Sequence, residues 1–169
     1  MMTYRRDIDG LRTLAVLPVL LFHAGNTFLS GGYAGVDIFF VISGFLITTI
    51  LLSELDDGRF SLTRFYERRI RRIFPLLFFV ISISLVASTL ILNPGMLLQY
   101  AGSALWALFS ASNIYFWRED SYFSDSSELK PLLHTWSLAV EEQYYIIFPL
   151  MLMGLWMIRQ NTKVLPLLA

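Results

Sequence analysis

Histidine is the residue best suited to acid–base chemistry here, and the sequence has only two, with no cysteine. His23 lies within a tract free of Asp, Glu, Lys and Arg that runs from Thr13 to Val36. An imidazole titrates near neutral pH and accepts a proton as a general base. Arg12 precedes it by about three helical turns, which puts both residues on one helix stripe about 16 Å apart. The pair therefore predicts that one face of the first helix carries catalytic residues. The alternative is that Arg12 is an interfacial arginine and that His23 caps the helix.

Asp37 is an acidic residue between two long uncharged tracts. In an antiparallel hairpin it would lie beside the outer half of the first helix, where a carboxylate can orient the imidazole of His23. The alternative is an interfacial aspartate that caps the second helix.

Four arginines are clustered before the third uncharged tract. Arg68, Arg71 and Arg72 follow an i, i+3, i+4 pattern, and Arg69 flanks them. Guanidinium groups bind phosphates well, so the cluster is a candidate phosphate site. A topology signal with contacts to anionic lipid is the alternative, and composition alone favours it.

A polar and aromatic segment runs from His134 to Tyr145. His134, Ser137 and Glu141 share a helix face, but three groups along one helix rarely converge on one reacting atom. The segment instead predicts a helix start that faces a substrate, with Glu141 or Glu142 accepting hydrogen bonds from hydroxyl groups.

The composition identifies the solvent around these residues. Hydrophobic residues make up 56% and charged residues 15%, with a mean hydropathy of +0.59. Soluble domains carry about a quarter charged residues, so lipid is the expected surrounding. A net charge of zero argues against a nucleic-acid partner. Two histidines and no cysteine leave little for a metal site, and no phosphate-binding P-loop or dinucleotide motif is present.

The uncharged tracts predict an all-α, polytopic transmembrane helical bundle in a single domain over residues 1–169, because each bilayer crossing must satisfy its own backbone hydrogen bonds. Asn93-Pro94-Gly95 is expected to form a turn within the longest tract. We expect an uncleaved first helix. The predicted spans are about 11–29, 34–53, 74–93, 97–117 and 141–159.

The loop over residues 54–72 contains six arginines. The positive-inside rule makes this loop and the N-terminus cytoplasmic. Simple counting places the 118–140 loop inside as well, whereas a re-entrant 97–117 segment would place it outside. Its mixed charges leave both alternatives open.

Taken together, these residues resemble the acyltransferase-3 family of integral membrane O-acyltransferases. The similarity extends from about Tyr4 to Pro149 and comprises four ordered blocks: DIDGLRTLAVLPVLLFH (7–23), GVDIFFVISGFLI (35–47), YERRIRRIFP (66–75) and LHTWSLAVEEQYYIIFP (133–149).

The resemblance implies transfer of an acyl group, usually acetyl, from cytoplasmic acetyl-CoA to a hydroxyl of an envelope carbohydrate, such as lipopolysaccharide O-antigen, peptidoglycan or exopolysaccharide. It implies a bacterial cytoplasmic membrane and no metal. The residues to which it assigns catalysis are His23, Arg12, Asp37, Glu141 and Glu142. Those facing the CoA phosphates are Arg68, Arg69, Arg71 and Arg72, and those binding the acceptor are Ser43, Gln143 and Tyr145.

Length is the departure from the family pattern, which has about ten transmembrane helices. The chain is therefore expected to be the N-terminal half of such a domain, with the C-terminal half as its partner. Two alternatives stay open: a truncated, inactive remnant or assembly partner, and a small transporter that uses the intramembrane His and Asp.

Overall fold

A computed structural model of the chain describes residues 6–24, 31–119 and 130–164, with side chains from Asp7 to Arg159. Throughout these residues the regular structure is helical, which confirms the all-α class. The chain forms two compact units, Met1–Phe60 and Ser61–Ala169. The helices are α1 (Arg6–His23), a 3-10 turn (Gly32–Ala34), α2 (Gly35–Asp56), α3 (Leu62–Ile91), α4 (Pro94–Leu108), α5 (Ser112–Arg118) and α6 (Thr135–Val164).

Three helices in the described part of the chain are long and apolar enough to cross a bilayer: Gly32–Asp56, Leu62–Ile91 and Thr135–Arg159. Their large apolar side chains are widely exposed, with Leu90 82% and Val41 73% exposed. Apolar surface in water costs about 25 cal/mol per Å², so lipid is the solvent that suits these helices. The protein is a membrane protein.

The α1 helix falls outside that set because its first half carries Asp7, Asp9 and Arg12. It ends at His23, and the rest of the predicted 11–29 span beyond Ala24 lies outside the described residues. The crossing of the bilayer by α1 stays a prediction. The α6 helix begins six residues before the predicted 141–159 span, at Thr135.

Two glycines let α1 and α2 pack closely in the first unit. A Cβ added at Gly35 would lie 2.1 Å from the carbonyl oxygen of Ala15, and one at Gly32 would lie 2.4 Å from that of Pro18. Both distances are far inside van der Waals contact, so side chains larger than hydrogen are excluded there. Ala15, which is 1% exposed, completes a small-residue interface of the kind that membrane helices use.

The turn between α2 and α3 contains Gly58, whose φ of 63° suits glycine. Arg59 donates a hydrogen bond to the Asp57 carboxylate. This contact lowers the pKa of Asp57 from its ordinary value. Both side chains are well exposed, so the pair contributes little stability.

The predicted turn at Asn93-Pro94-Gly95 is confirmed. The α3 helix ends at Ile91, and α4 begins at Pro94. The Asn93 side chain accepts a hydrogen bond of 2.9 Å from the Met96 amide, which caps the new helix. Proline is well placed at the first position, where no intrahelical partner for its missing N–H is needed.

The prediction of one helix over 97–117 is wrong, because the chain breaks between α4 and α5. Ser110 adopts φ 53°, and its amide donates to the Ala107 carbonyl at 3.0 Å. The Ala111 amide donates to the Trp106 carbonyl at 2.9 Å. These two bonds form a Schellman motif, which usually has glycine at the left-handed position. Serine occupies it here, so the sequence carries no glycine signal for the break.

The core of the second unit forms around Tyr100, Phe116 and Leu132. The Tyr100 hydroxyl donates to the Ile81 carbonyl at 2.7 Å, which fixes α4 against α3. Lys130 forms a 2.8 Å ion pair with Glu119, and both side chains are largely buried. These contacts hold α5 and the start of α6 on the α3–α4 pair.

Candidate active site

His23 is the last residue of α1, and its side chain is exposed. Its Nδ1 lies 2.8 Å from the carbonyl oxygen of Val19. A carbonyl oxygen can only accept, so the neutral ring carries its proton on Nδ1 and its lone pair on Nε2. The hydrogen bond to the helix backbone thereby orients the imidazole and leaves Nε2 as the basic nitrogen.

Arg12 and Asp37 flank this histidine in sequence, and both belong to the first unit. The Arg12 guanidinium lies over the Phe39 ring, 5.1 Å from its centroid, a contact that stabilises a half-buried cation. Asp37 is exposed in the first turn of α2, where a carboxylate interacts favourably with the positive end of the helix dipole. Within the described residues, His23 and Asp37 form no hydrogen bond or ion pair. The catalytic assignments of Arg12 and Asp37 stay predictions.

Ser43 lies in the middle of α2 and is 2% exposed. Its hydroxyl oxygen has no hydrogen-bond partner among the residues that the structure describes. A buried polar group without a partner is costly, so this hydroxyl is a group that a ligand could satisfy. Its predicted contact with substrate is untested.

The four arginines of the predicted phosphate site have different surroundings. Arg68, Arg71 and Arg72 are exposed, and Arg71 pairs with Glu67 at 2.8 Å within the same helix. Arg69 is half-buried, with its guanidinium 4.3 Å from the centroid of the Tyr145 ring on α6. The contiguous sequence block therefore presents three cations outward and one toward another helix.

A carboxylate and tyrosine cluster lies on the first half of α6. Tyr145 is 3% exposed, and its hydroxyl donates to the Glu141 carboxylate. One Glu142 carboxylate oxygen is buried without a hydrogen-bond partner among the described residues. Arg69 lies within electrostatic range of both glutamates. The structure thus brings four of the predicted site residues together around α6: Arg69, Glu141, Glu142 and Tyr145.

The side-chain amide of Gln143 forms hydrogen bonds with residues at the break between α4 and α5. Its Nε2 donates to the Ser110 carbonyl and to Asn113 Oδ1, each at 2.9 Å. Asn113 Nδ2 donates back to Gln143 Oε1 at 3.2 Å. This reciprocal pair ties the left-handed turn to α6. It gives Gln143 a structural function, whereas its predicted contact with the acceptor is untested.

Replacing Asn113 by leucine is expected to destabilise the fold by about 1–3 kcal/mol, because the Gln143 amide loses its side-chain partner. Chemical unfolding in detergent micelles measures this change. The double variant with Gln143→Leu should lose less than the sum of the two single variants, since both remove the same bonds. Strictly additive losses would show that the pair does not couple α5 to α6.

Ser137 does not extend the site toward a nucleophilic triad. Its hydroxyl donates to the backbone carbonyl of His134 at 3.1 Å. This local bond uses the hydroxyl proton within the first turn of α6. This contact agrees with the expectation, from helical spacing, that His134, Ser137 and Glu141 do not converge on one reacting atom.

Sequence reasoning missed two polar contributors. Asn113 is an amide in the longest uncharged tract, so its polarity was an available signal. Tyr66, inside the YERRIRRIFP block, donates from its hydroxyl to the Ile146 carbonyl at 2.9 Å. That bond gives α3 a second attachment to α6 beside Arg69.

These arrangements support two kinds of chemistry, one in each unit. In the first, an exposed imidazole with its lone pair on Nε2 can take a proton from a hydroxyl. In the second, exposed guanidinium groups can bind phosphate oxygens, and a buried carboxylate oxygen can accept a hydrogen bond from a hydroxyl.

Comparison with known proteins gives consistent matches. A family model for an acyltransferase domain matches residues 5–169. The O-acetyltransferase OatA of Staphylococcus aureus (strain NCTC 8325 / PS 47) is 40% identical over 150 residues, which are 88% of this chain and 25% of that protein. A putative O-acetyltransferase of S. aureus strain MSSA476 is 39% identical over 155 residues, 91% of this chain and 26% of that protein.

The chain spans about a quarter of the length of these curated relatives. No solved structure matches it.

Proposed function

Because the chain belongs to the acyltransferase-3 family of integral membrane O-acyltransferases, we propose that it supplies the catalytic histidine and the donor-binding arginines of an O-acetyltransferase. The donor is cytoplasmic acetyl-CoA, and the acceptor is a hydroxyl of an envelope carbohydrate. The observation that carries the proposal is His23, whose Nδ1 bond to Val19 leaves Nε2 available as a base.

In the proposed reaction, Nε2 of His23 removes the proton of the acceptor hydroxyl. The oxygen attacks the carbonyl carbon of the acetyl thioester, and a new C–O bond forms. The C–S bond then breaks, and the CoA thiolate leaves with the proton from the imidazolium. General-base assistance of this type contributes about 10²–10⁴-fold in rate.

One cation in the first unit and one carboxylate on α6 each suit this reaction. Arg12, held by the Phe39 ring, is a cation on the same helix as His23, about three turns away, and its field would favour the approach of an anionic donor. The Glu142 oxygen without a described partner would accept a hydrogen bond from a carbohydrate hydroxyl.

The exposed arginines of α3 would bind the donor. Acetyl-CoA carries phosphates, which guanidinium groups bind through charge-assisted hydrogen bonds. Residues 54–72 were expected to form a loop, but α3 already begins at Leu62, so most of these arginines lie in its first turns. By the positive-inside rule they favour a cytoplasmic location for this end of α3, the side on which acetyl-CoA occurs. We propose a cytoplasmic membrane location with the N-terminus inside.

The test is transfer from labelled acetyl-CoA to envelope carbohydrate in native membranes that contain the full-length gene product. Membranes from cells that lack the gene serve as the control. Acetate that is released from the carbohydrate by mild base, and only when the gene is present, supports the proposal. Absence of gene-dependent acetate would favour the inactive-remnant alternative.

Replacing Arg71 and Arg72 together by alanine is expected to raise KM for acetyl-CoA about tenfold or more, since each bond to a charged group contributes about 1.5–3 kcal/mol. The maximal rate should change much less. Arg64→Ala, which removes an exposed arginine from the first turn of the same helix, is the matched control. An equal rise in KM in the control would indicate general attraction by positive charge.

A further inference from the structure

The four arginines near the start of α3 differ in their surroundings. The guanidinium of Arg69 lies close to two aromatic rings, 4.3 Å from the Tyr145 centroid and 5.7 Å from the Phe65 centroid. In the part of the chain that the structure describes, no carboxylate forms an ion pair with it. A cation this close to the face of a tyrosine ring is attracted by the ring electrons. The side chain is therefore held by α6, whereas Arg68, Arg71 and Arg72 are exposed.

The charges around Arg69 are of both signs. Arg72, Glu142 and Glu141 all lie within electrostatic range of its guanidinium. A phosphate that approached Arg69 would meet two carboxylates, and in a partly buried site their repulsion is poorly screened. Arg71 faces a different environment, with one exposed glutamate as its partner.

The contacts of Arg69 lead instead to the α6 carboxylates. Arg69 packs on the Tyr145 ring, and the Tyr145 hydroxyl holds the Glu141 carboxylate. Tyr66, one turn earlier on α3, bonds the next residue of α6, Ile146, at 2.9 Å. With Glu141 occupied by Tyr145, Glu142 is the neighbour with a buried carboxylate oxygen that has no partner among the described residues.

We propose that Arg69 is a positioning residue for the acceptor side of the reaction and does not bind the phosphates of the donor. It fixes Tyr145 and, through the tyrosine hydroxyl, Glu141, and so leaves Glu142 to accept a hydrogen bond from another hydroxyl of the carbohydrate acceptor. This inference rests on the proposed O-acetyltransferase function. It departs from the sequence expectation that all four arginines face the CoA phosphates.

The test compares Arg69→Gln, Arg69→Lys and Arg72→Gln in the full-length gene product in native membranes. Both KM for acetyl-CoA and kcat for acetyl transfer are measured, with protein abundance from immunoblots. For Arg69→Gln we expect kcat to fall about tenfold or more while KM for acetyl-CoA stays within about twofold, the pattern of a lost interaction on the reacting side. Arg69→Lys should recover part of kcat because the charge is kept. Arg72→Gln should instead raise KM for acetyl-CoA.

A second variant, Tyr145→Phe, keeps the ring under Arg69 and removes only the hydroxyl that holds Glu141. It should also lower kcat without raising KM for acetyl-CoA, and it tests the inference if Arg69→Gln does not accumulate. A rise in KM for acetyl-CoA in Arg69→Gln as large as in Arg72→Gln would overturn the inference and leave the proposed function intact. An unchanged kcat in Arg69→Gln would also overturn it. Wild-type membranes that transfer no acetyl group would overturn both.

Discussion

Replacing His23 by alanine is expected to lower acetyl transfer by about 10²–10⁴-fold, the contribution of a general base. KM for acetyl-CoA should change little, because the imidazole acts on the acceptor hydroxyl. The fold should be retained, since His23 is exposed and its one described hydrogen bond joins it to the Val19 carbonyl of its own helix. The measurement is release of base-labile acetate from envelope carbohydrate, normalised to the amount of protein in the membrane.

The second histidine is the matched control. His134→Ala removes an imidazole from the turn before α6 and should reduce transfer far less than His23→Ala. Equal activity of the His23→Ala variant and the wild type would exclude His23 as the base. Equal losses in both variants would indicate that the effect comes from folding.

Replacing Gly35 by alanine is expected to separate α1 from α2, although only one methyl group is added. The new Cβ would lie 2.1 Å from the Ala15 carbonyl oxygen and 2.8 Å from Val19 Cγ2. The carbonyl belongs to helix backbone and cannot rotate away, so the helices must move apart. Overpacking typically costs about 1–3 kcal/mol and occasionally more, and we expect the upper end of that range.

Gly10→Ala is the comparison for that variant. Gly10 lies in α1 with nothing within 4 Å of an added Cβ. Alanine there should stabilise the helix by up to about 1 kcal/mol. Unfolding in mixed micelles reports both changes, which should have opposite signs. Destabilisation of similar size in the two variants would contradict the close contact at Gly35.

A displaced α1 would also move His23, the proposed general base. Arg12 is held by Phe39 of α2, and Val19, which bonds His23, is itself a neighbour of Gly35. We therefore expect Gly35→Ala to lose acetyl transfer along with stability. The glycine that opens the GVDIFFVISGFLI block thus has a packing function that the block alone does not reveal.

Much of the fold could be predicted because the bilayer constrains a chain strongly. Long uncharged tracts must form helices with internal hydrogen bonds, and this argument located α2, α3 and α6. The turn at Asn93-Pro94 could be predicted because both residues have strong local preferences at a helix start. The break at Ser110 could not, since serine does not favour the left-handed region. Contacts from Gln143, 33 residues later in the chain, accompany that conformation.

The site residues divide in the same way. His23, the arginines of α3 and the glutamates of α6 could be proposed as site residues from residue type, because charged and ionisable groups are rare in apolar tracts and usually have a function. Their partners could not be identified. Nothing in the spacing of YERRIRRIFP distinguishes Arg69 from its three neighbours.

The sequence by itself determined the all-α membrane class and the family, and it supplied the candidate site residues. Composition, apolar tract length and residue type are local properties, so conclusions drawn from them do not require the positions of neighbouring helices. Only the tertiary structure decided that α4 and α5 are separate, that Gly35 meets the Ala15 carbonyl, and that Arg69 packs on Tyr145 while Arg71 stays exposed. Those outcomes depend on contacts between residues that are far apart in the chain. Close packing between helices decides which of these contacts form, and a local sequence pattern contains no information about them.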